Sequence, residues 1–331
     1  MTSIEQQWSA FSIIDAEAVK LRQLRTGSLN ELFCTIDTTR FTSGACNIVV
    51  ALSFSDGLQW VARIQLPLID ENDDSESVET SLLSEVATMQ LIRAKSTIPI
   101  PSVFGYDASP KNIGYRYILM EALPGHALTS RMAVSIPDEY KEEFAARLAG
   151  HLFDLSTISF GQIGRLGNSL DELGQHIMLP FSVPGSSKEI PSQHTYSILR
   201  DHAGDNEWEA AARLLGSSVA AMFTEQNING LFPLCHVDFH YNNVLVDDEC
   251  NITGLVGWSN AQTVPLERFA IIPEFVAPPA APIASKQAIA SFRQTFVRAL
   301  AKVQVEREGL QSPEQGTLSH LFASPRSELV V

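Results

Sequence analysis

The chain has 331 residues, 45% of them hydrophobic, and carries a formal charge of -15. That length and apolar content suffice for two lobes with substantial cores, and the acidity, with no basic patch to offset it, excludes a nucleic-acid-binding protein. No run is suited to crossing a membrane, because the longest apolar stretch, Phe269 to Ala284, is interrupted by prolines and Glu274.

Residues Met1 to Ile14 alternate polar and apolar and contain no signal-peptide core. The four cysteines, Cys34, Cys46, Cys235 and Cys250, have neither zinc nor redox spacing, so free thiols in a reducing compartment and a cytoplasmic location are expected. From Phe41 a small-residue bend through Ser43-Gly44-Ala45 leads into the β-rich run Ile48 to Phe54. A turn at Ser55-Asp56-Gly57 then returns the chain through Trp60 to Ile64, which is a hairpin pattern. One glycine is a weak phosphate-cradle signal, since a cradle needs several exposed backbone N–H groups, and this bend reads as an ordinary turn. Arg63 interrupts the second apolar run; such a charge either faces solvent or is paired or aimed at a ligand.

Asp70 to Glu79 carries six acidic residues and reads as a solvated connection, lacking the glycine and ligand series of a calcium loop. Leu82, Val86, Met89 and Ile92 follow helical spacing, and Glu85 falls on their core-facing side. A solvated edge position is the ordinary alternative for a helical glutamate. Beyond Pro99 and Pro101, Tyr115 to Met120 forms a buried strand that breaks at Glu121-Ala122-Leu123-Pro124-Gly125. Ser135-Ile136-Pro137-Asp138 is a capping-type helix start, followed by the stripe Tyr140, Phe144, Leu148, Leu152 and Leu155. Leu179 to Pro191 reads as a surface loop, and a further amphipathic helix is expected from about Asp205, with Trp208, Leu215, Val219 and Met222 on one face.

The densest chemical signal lies in Cys235 to Asn243. The pattern H-x-D-x-x-x-x-N puts an acid, Asp238, and an amide, Asn243, on one loop, where the acid takes a hydroxyl proton and the amide holds a metal. Two apolar runs follow, Val244 to Val246 and Ile252 to Val256, separated by Asp247 to Asn251. They form a hairpin signature centred near Cys250 that brings position 257 beside position 243. A second magnesium ligand is wanted there, and the residue is Gly257. His236, Asp238 and His240 alternate in a way open to a metalloenzyme reading, but the loop-then-hairpin context favours phosphoryl transfer. Ser285 to Val331 holds a helix-like run and a polar tail with no evident chemistry.

Taken together, these residues resemble the aminoglycoside phosphotransferase and choline kinase-like family, especially its fungal members, from about Phe41 to Phe275. In that family the loop usually reads H-G-D-x-x-x-x-N and the hairpin closes on Ile-Asp-Trp. The matching residues here are His236-Val237-Asp238, Asn243 and Val256-Gly257-Trp258. The resemblance implies an α+β, protein-kinase-like bilobal fold. Residues 1–122 would form a nucleotide-binding lobe and residues 123–331 a mainly helical catalytic and acceptor lobe. It implies Asp238 as catalytic base, Asn243 as metal ligand and His236 as a brace of the loop. Arg63 would contact nucleotide phosphates with Glu85 as its partner, and the backbone at Glu121 to Leu123 would bond the base.

The implied activity is ATP- and magnesium-dependent phosphoryl transfer to a hydroxyl of a small molecule, impaired by Gly257. An aminoglycoside would suit an acidic surface, although acidity by itself signals only solubility. Two further readings stay open: an inactive protein that binds nucleotide or a protein partner, and an ATP-independent enzyme of fungal secondary metabolism that uses Asp238 for proton transfer.

Overall fold

The computed structural model of the chain describes residues 12–27, 32–44, 47–66, 75–111, 114–128, 133–171, 174, 176–179, 231–278, 282–309 and 317–324. The helix expected from Asp205, and the loop expected after Leu179, lie outside these residues. The architecture is α+β and divides into two compact units, Met1–Leu91 with Ile100–Leu123, and Ile92–Pro99 with Pro124–Val331.

The first unit is built on a five-stranded antiparallel sheet of order β1-β2-β3-β5-β4. Its strands are β1 (Cys34–Ser43), β2 (Asn47–Phe54), β3 (Gln59–Gln65), β4 (Val103–Asp107) and β5 (Tyr117–Glu121). Side chains alternate across a strand, so the two faces separate cleanly. Ile48, Val50, Leu52 and Phe54 of β2 and Trp60, Ala62 and Ile64 of β3 are buried in one cluster with Ile14 and Ala18 of helix α1 (Ser12–Thr26). Val49, Arg63 and Ile118 are paired across β2, β3 and β5 and therefore share the opposite face. Helix α2 (Ser75–Lys95) buries Leu82, Val86 and Met89. It begins at Ser75, so Ser75 to Glu79, expected from the sequence to be part of a solvated connection, belong to the helix.

Sequence reasoning also passed over α1. Its Asp15 sits against the sheet, accepts a hydrogen bond from the Ile36 N–H, and has one oxygen buried without a hydrogen-bond partner. Desolvation outweighs that bond and raises the carboxyl from 3.8 to about 6. Between those values the folded state keeps a proton that the unfolded state has lost, so this group makes stability fall as pH rises from about 4 to about 6. Asp15→Asn keeps an acceptor for Ile36 and removes the desolvated charge. It is expected to stabilise the protein at neutral pH by about 1 kcal/mol after discounting for partial exposure, and to flatten this fall. Thermal melts of both proteins from acid to neutral pH check the sign.

The second unit centres on two long helices, α3 (Asp138–Thr157) and α5 (Lys286–Glu308), with the short α4 (Leu266–Phe269) between them in the chain; the long pair is in contact through Phe144 and Phe292 and through the Arg307–Asp154 ion pair. The expected cap by Ser135 does not form, because Ser135 ends a 3-10 turn (Ala133–Ser135). Pro137 occupies the cap position instead, at φ -52, and its carbonyl accepts from the Tyr140 N–H at 2.9 Å. Helix α6 (Leu318–Ala323) seats Phe322 on Phe296, and the Ser319 N–H donates to the buried Gln304 at 3.0 Å.

Two small antiparallel sheets carry the functional loop. One has the order β13-β10-β7, with β7 (Ser159–Phe160), β10 (Phe232–Cys235) and β13 (Gln262–Thr263); the other has the order β12-β11-β6, with β6 (His126–Ala127), β11 (Val244–Val246) and β12 (Ile252–Leu255). A separate ribbon pairs β8 (Arg165–Leu170) with β9 (His176–Leu179). Among the described residues, no helix is long and apolar enough to cross a membrane.

Candidate active site

All four residues of β10 are buried, and the strand delivers the chain rigidly into the loop from His236 to Asn243. His236 stays in the core, with its ring 4.5 Å from that of Trp258 and 5.2 Å from that of Phe239. Burial lowers its pKa, against the pull of its bond to Val256. The ring is therefore neutral, and since a carbonyl can only accept, the proton lies on Nε2, which donates to the Val256 carbonyl at 2.8 Å. That bond ties the start of the loop to the end of the following hairpin.

The loop closes on itself through backbone bonds from His240 N–H to the Asp238 carbonyl (3.1 Å) and from Asn243 N–H to the His240 carbonyl (3.0 Å). The Asp238 side chain is 58% exposed. His240 Nδ1 accepts from the Asn242 N–H at 3.2 Å, so in the neutral ring the proton sits on Nε2, which lies 3.5 Å from Asp238 Oδ2. One carboxylate oxygen is thus steered by the imidazole while the group as a whole stays open to an incoming hydroxyl. Beside it lies a cavity of about 180 Å³. Its lining includes Asp238, Phe239, Arg268, Ile272 and Glu274.

The hairpin forms over β11 and β12 with Val244 opposite Leu255, and its turn is organised by Asp247, which accepts from the Glu249 and Asn251 N–H groups. Cys250 takes the left-handed position of that turn, at φ 59. The Val256 N–H donates to the Asn243 carbonyl at 3.0 Å, so position 257 does stand beside position 243. Gly257 has φ 84 and ψ 41, a left-handed conformation that glycine adopts without penalty. A Cβ there would fall 2.6 to 2.7 Å from the three end atoms of the Asn243 amide. Its Nδ2 donates to the Asp238 carbonyl at 2.8 Å and lies 3.3 Å from His240 Nε2, contacts that do not involve Oδ1.

These donors do not fit magnesium, which takes about six oxygens in near-octahedral order and is normally anchored by carboxylates. Position 257 supplies no side chain, and the Asn243 amide could offer only its single oxygen, Oδ1. Among the described residues, no group of three or more His, Cys, Asp or Glu side chains is arranged to hold a metal.

The other candidate residues belong to the first unit. Arg63 forms an ion pair with Glu85 and donates from Nη1 to Asn47 Oδ1 at 3.2 Å. Glu85 is 4% exposed, and burial pushes its carboxyl up against the opposing pull of Arg63. The Glu121 N–H donates to the Ser102 carbonyl at 2.9 Å, and its side chain accepts from the Ser102 N–H and hydroxyl, at 3.1 and 2.8 Å. Leu123 ends the unit. Among the described residues, no backbone group accepts its N–H. The structure thus brings together Arg63 with Glu85, and Asp238 with Asn243.

Sequence reasoning missed Asn47, whose polar side chain at a strand start gave no signal of its partner. It also missed Arg268 and Glu274, whose charges within an otherwise apolar segment were the available signal. The model of the phosphotransferase enzyme family, APH, matches residues 37–300, a span holding all of the candidate residues. The chain belongs to that family.

Among curated proteins, a subtelomeric hrmA-associated cluster protein of Aspergillus fumigatus is 32% identical over 130 residues, covering 38% of this chain and 24% of that protein. The clavilactone A biosynthesis cluster protein Y of Ampulloclitocybe clavipes is 25% identical over 247 residues, covering 68% of this chain and 60% of that protein. The chain therefore spans about a quarter of the first relative and about three fifths of the second. Among solved structures, a protein of Ralstonia eutropha assigned as an aminoglycoside phosphotransferase superposes with a TM-score of 0.52. It is 15% identical, over 95% of this chain and 85% of that one, and this likeness shows the phosphotransferase fold.

Proposed function

We propose that this member of the phosphotransferase family transfers the terminal phosphoryl group of ATP to a hydroxyl of a small molecule. The observation that carries the reading is the half-exposed Asp238 carboxylate, held on a rigid loop at the edge of a cavity with an imidazole steering one of its oxygens.

In this reading the acceptor hydroxyl gives its proton to Asp238 as its oxygen forms a bond to the γ-phosphorus. The bond from that phosphorus to the bridging oxygen breaks, and ADP leaves with the electron pair. Arg63, oriented by Glu85 and Asn47, offsets phosphate charge, and the backbone at Glu121 to Leu123 bonds the adenine. Magnesium, which the family pattern implies, supplies no step here, because position 257 offers no carboxylate to anchor it beside Asn243.

The cavity combines Arg268 with Glu274 and Asp238, so its lining is of mixed charge rather than shaped for a polycation alone. The biosynthesis cluster in the name of the Ampulloclitocybe relative supports a secondary metabolite as acceptor. The test is ADP release from ATP with a panel of amino alcohols, sugars and hydroxy acids. At least one acceptor is expected to stimulate release.

A second reading, a protein that binds nucleotide or a protein partner without turnover, is favoured by one observation. The Asn243 amide stands where a ligand side chain from position 257 would enter. Tight ATP binding with no stimulated ADP release by any acceptor would support it.

A further inference from the structure

The segment from Pro265 to Val276 is apolar except for Glu267, Arg268 and Glu274. Its apolar residues anchor it: Phe269, Ile272, Pro273 and Phe275 are buried. The Ala270 N–H donates to the Leu266 carbonyl at 2.9 Å and closes α4, and the Phe275 carbonyl accepts from the Ala133 N–H at 2.7 Å. On this frame Arg268, in α4, and Glu274, between buried Pro273 and Phe275, are exposed, and both line the cavity beside Asp238.

These two opposite charges do not neutralise each other. Among the described residues, neither side chain forms an ion pair or a hydrogen bond. The Arg268 charge is nevertheless felt inside the cavity wall: burial pushes the Cys235 thiol up to about 12, and Arg268 pulls it the other way. The lining also includes the apolar side chains of Leu152, Leu155, Phe239 and Ile272. A cation and an anion held apart on one frame, around one cavity, are complementary to a single molecule that carries both charges. A polycation would meet repulsion from Arg268. A neutral sugar would leave both charges unanswered, and a plain hydroxy acid would meet Glu274 as well as Asp238.

We propose that the acceptor is a hydroxy amino acid bound as its zwitterion, with Arg268 taking the carboxylate, Glu274 the ammonium group and Asp238 the hydroxyl. The planar guanidinium suits a carboxylate, and both contacts are charge-assisted. The proposal rests on the phosphoryl-transfer reading above and names the acceptor class for it. The acceptor's hydroxyl oxygen bonds the γ-phosphorus, its proton passes to Asp238, and ADP leaves with the electron pair of the broken bond, so the product is an O-phospho amino acid. Arg268 and Glu274 act on specificity and take no part in the proton transfer.

The test is ADP release by the full chain with serine, homoserine, hydroxyproline and phenylserine, each beside its carboxamide and its N-acetyl derivative. The amino alcohols, sugars and hydroxy acids of the wider panel serve as comparison. At least one of the four is expected to exceed both of its derivatives, and the wider panel, by about tenfold or more in kcat/KM. An acceptor of the wider panel that works as well, or a derivative that matches its parent, overturns the proposal while leaving phosphoryl transfer intact. Absence of stimulated release by every compound overturns the two together.

Arg268→Gln and Glu274→Gln then assign the charges. Both positions are exposed, so each variant should melt with the parent. Arg268→Gln is expected to raise KM for the amino acid about tenfold or more, with the smaller effect on kcat, and this penalty should shrink with the carboxamide. Glu274→Gln should behave likewise toward the N-acetyl derivative. Equal losses on parent and derivatives would make the two residues structural and overturn the assignment. The comparison of compounds on the unmodified protein decides even if a variant fails to fold.

Discussion

Asp238→Asn is expected to cut phosphoryl transfer by roughly 100- to 10,000-fold, the usual contribution of a positioned general base. The fold should survive, because the side chain is 58% exposed and lies 3.5 Å from His240 Nε2. The amide is nearly isosteric but cannot take the hydroxyl proton, so the loss should fall on kcat while ATP affinity, measured by titration, stays within about twofold. The loop itself should persist, since its bonds from His240 and Asn243 go to the Asp238 backbone carbonyl. A variant that melts with the parent, binds ATP and transfers nothing is the expected outcome. A variant with unchanged kcat would remove Asp238 from the chemistry.

Arg63→Met is expected to destabilise the protein by about 3–5 kcal/mol, because it strands a carboxylate in the core. Glu85 is 4% exposed and Arg63 is its ion-pair partner. Burial already pushes the Glu85 carboxyl up, so without the guanidinium it would take up a proton on folding and stability would become steeply pH-dependent. The double variant Arg63→Met with Glu85→Leu should recover most of the loss, since replacing both ions with apolar side chains removes the desolvation cost of each. Urea denaturation of the two single variants and the double variant closes the cycle. The proposed role adds a second expectation: the double variant, although stable, should bind ATP more weakly. Recovered stability with unchanged ATP affinity would make the pair purely structural.

The parts of the molecule that were legible in the sequence are those where local pattern and tertiary role agree. The hairpin after Asn243 declares itself by two apolar runs around Asp247 to Asn251, and Asp247 does organise that turn. The β2–β3 hairpin and the stripe of α2 are of the same kind. Helix α1 was passed over, although Asp15 to Arg25 is rich in good helix formers, because the N-terminal stretch was read for targeting signals rather than periodicity. Strand β1 was missed because Thr35, Asp37, Thr38 and Thr39 dilute its apolar signal and a bulge between Asp37 and Phe41 breaks its alternation.

At the site, the absence of a carboxylate at position 257 could be read directly. The left-handed backbone of Gly257 and the inward turn of the Asn243 amide could not, since a glycine is silent about its φ and an asparagine about its rotamer. Those two features separate an empty ligand position from one filled by its neighbour.

The measurement closest to the central claim is mass spectrometry of the products formed from ATP and a stimulating acceptor, with the unmodified protein and Asp238→Asn side by side. The expected result is a phosphomonoester of the acceptor and an equal amount of ADP from the first, and neither from the second. An acceptor modified without phosphate, or a phosphomonoester made equally well by Asp238→Asn, would contradict phosphoryl transfer at Asp238.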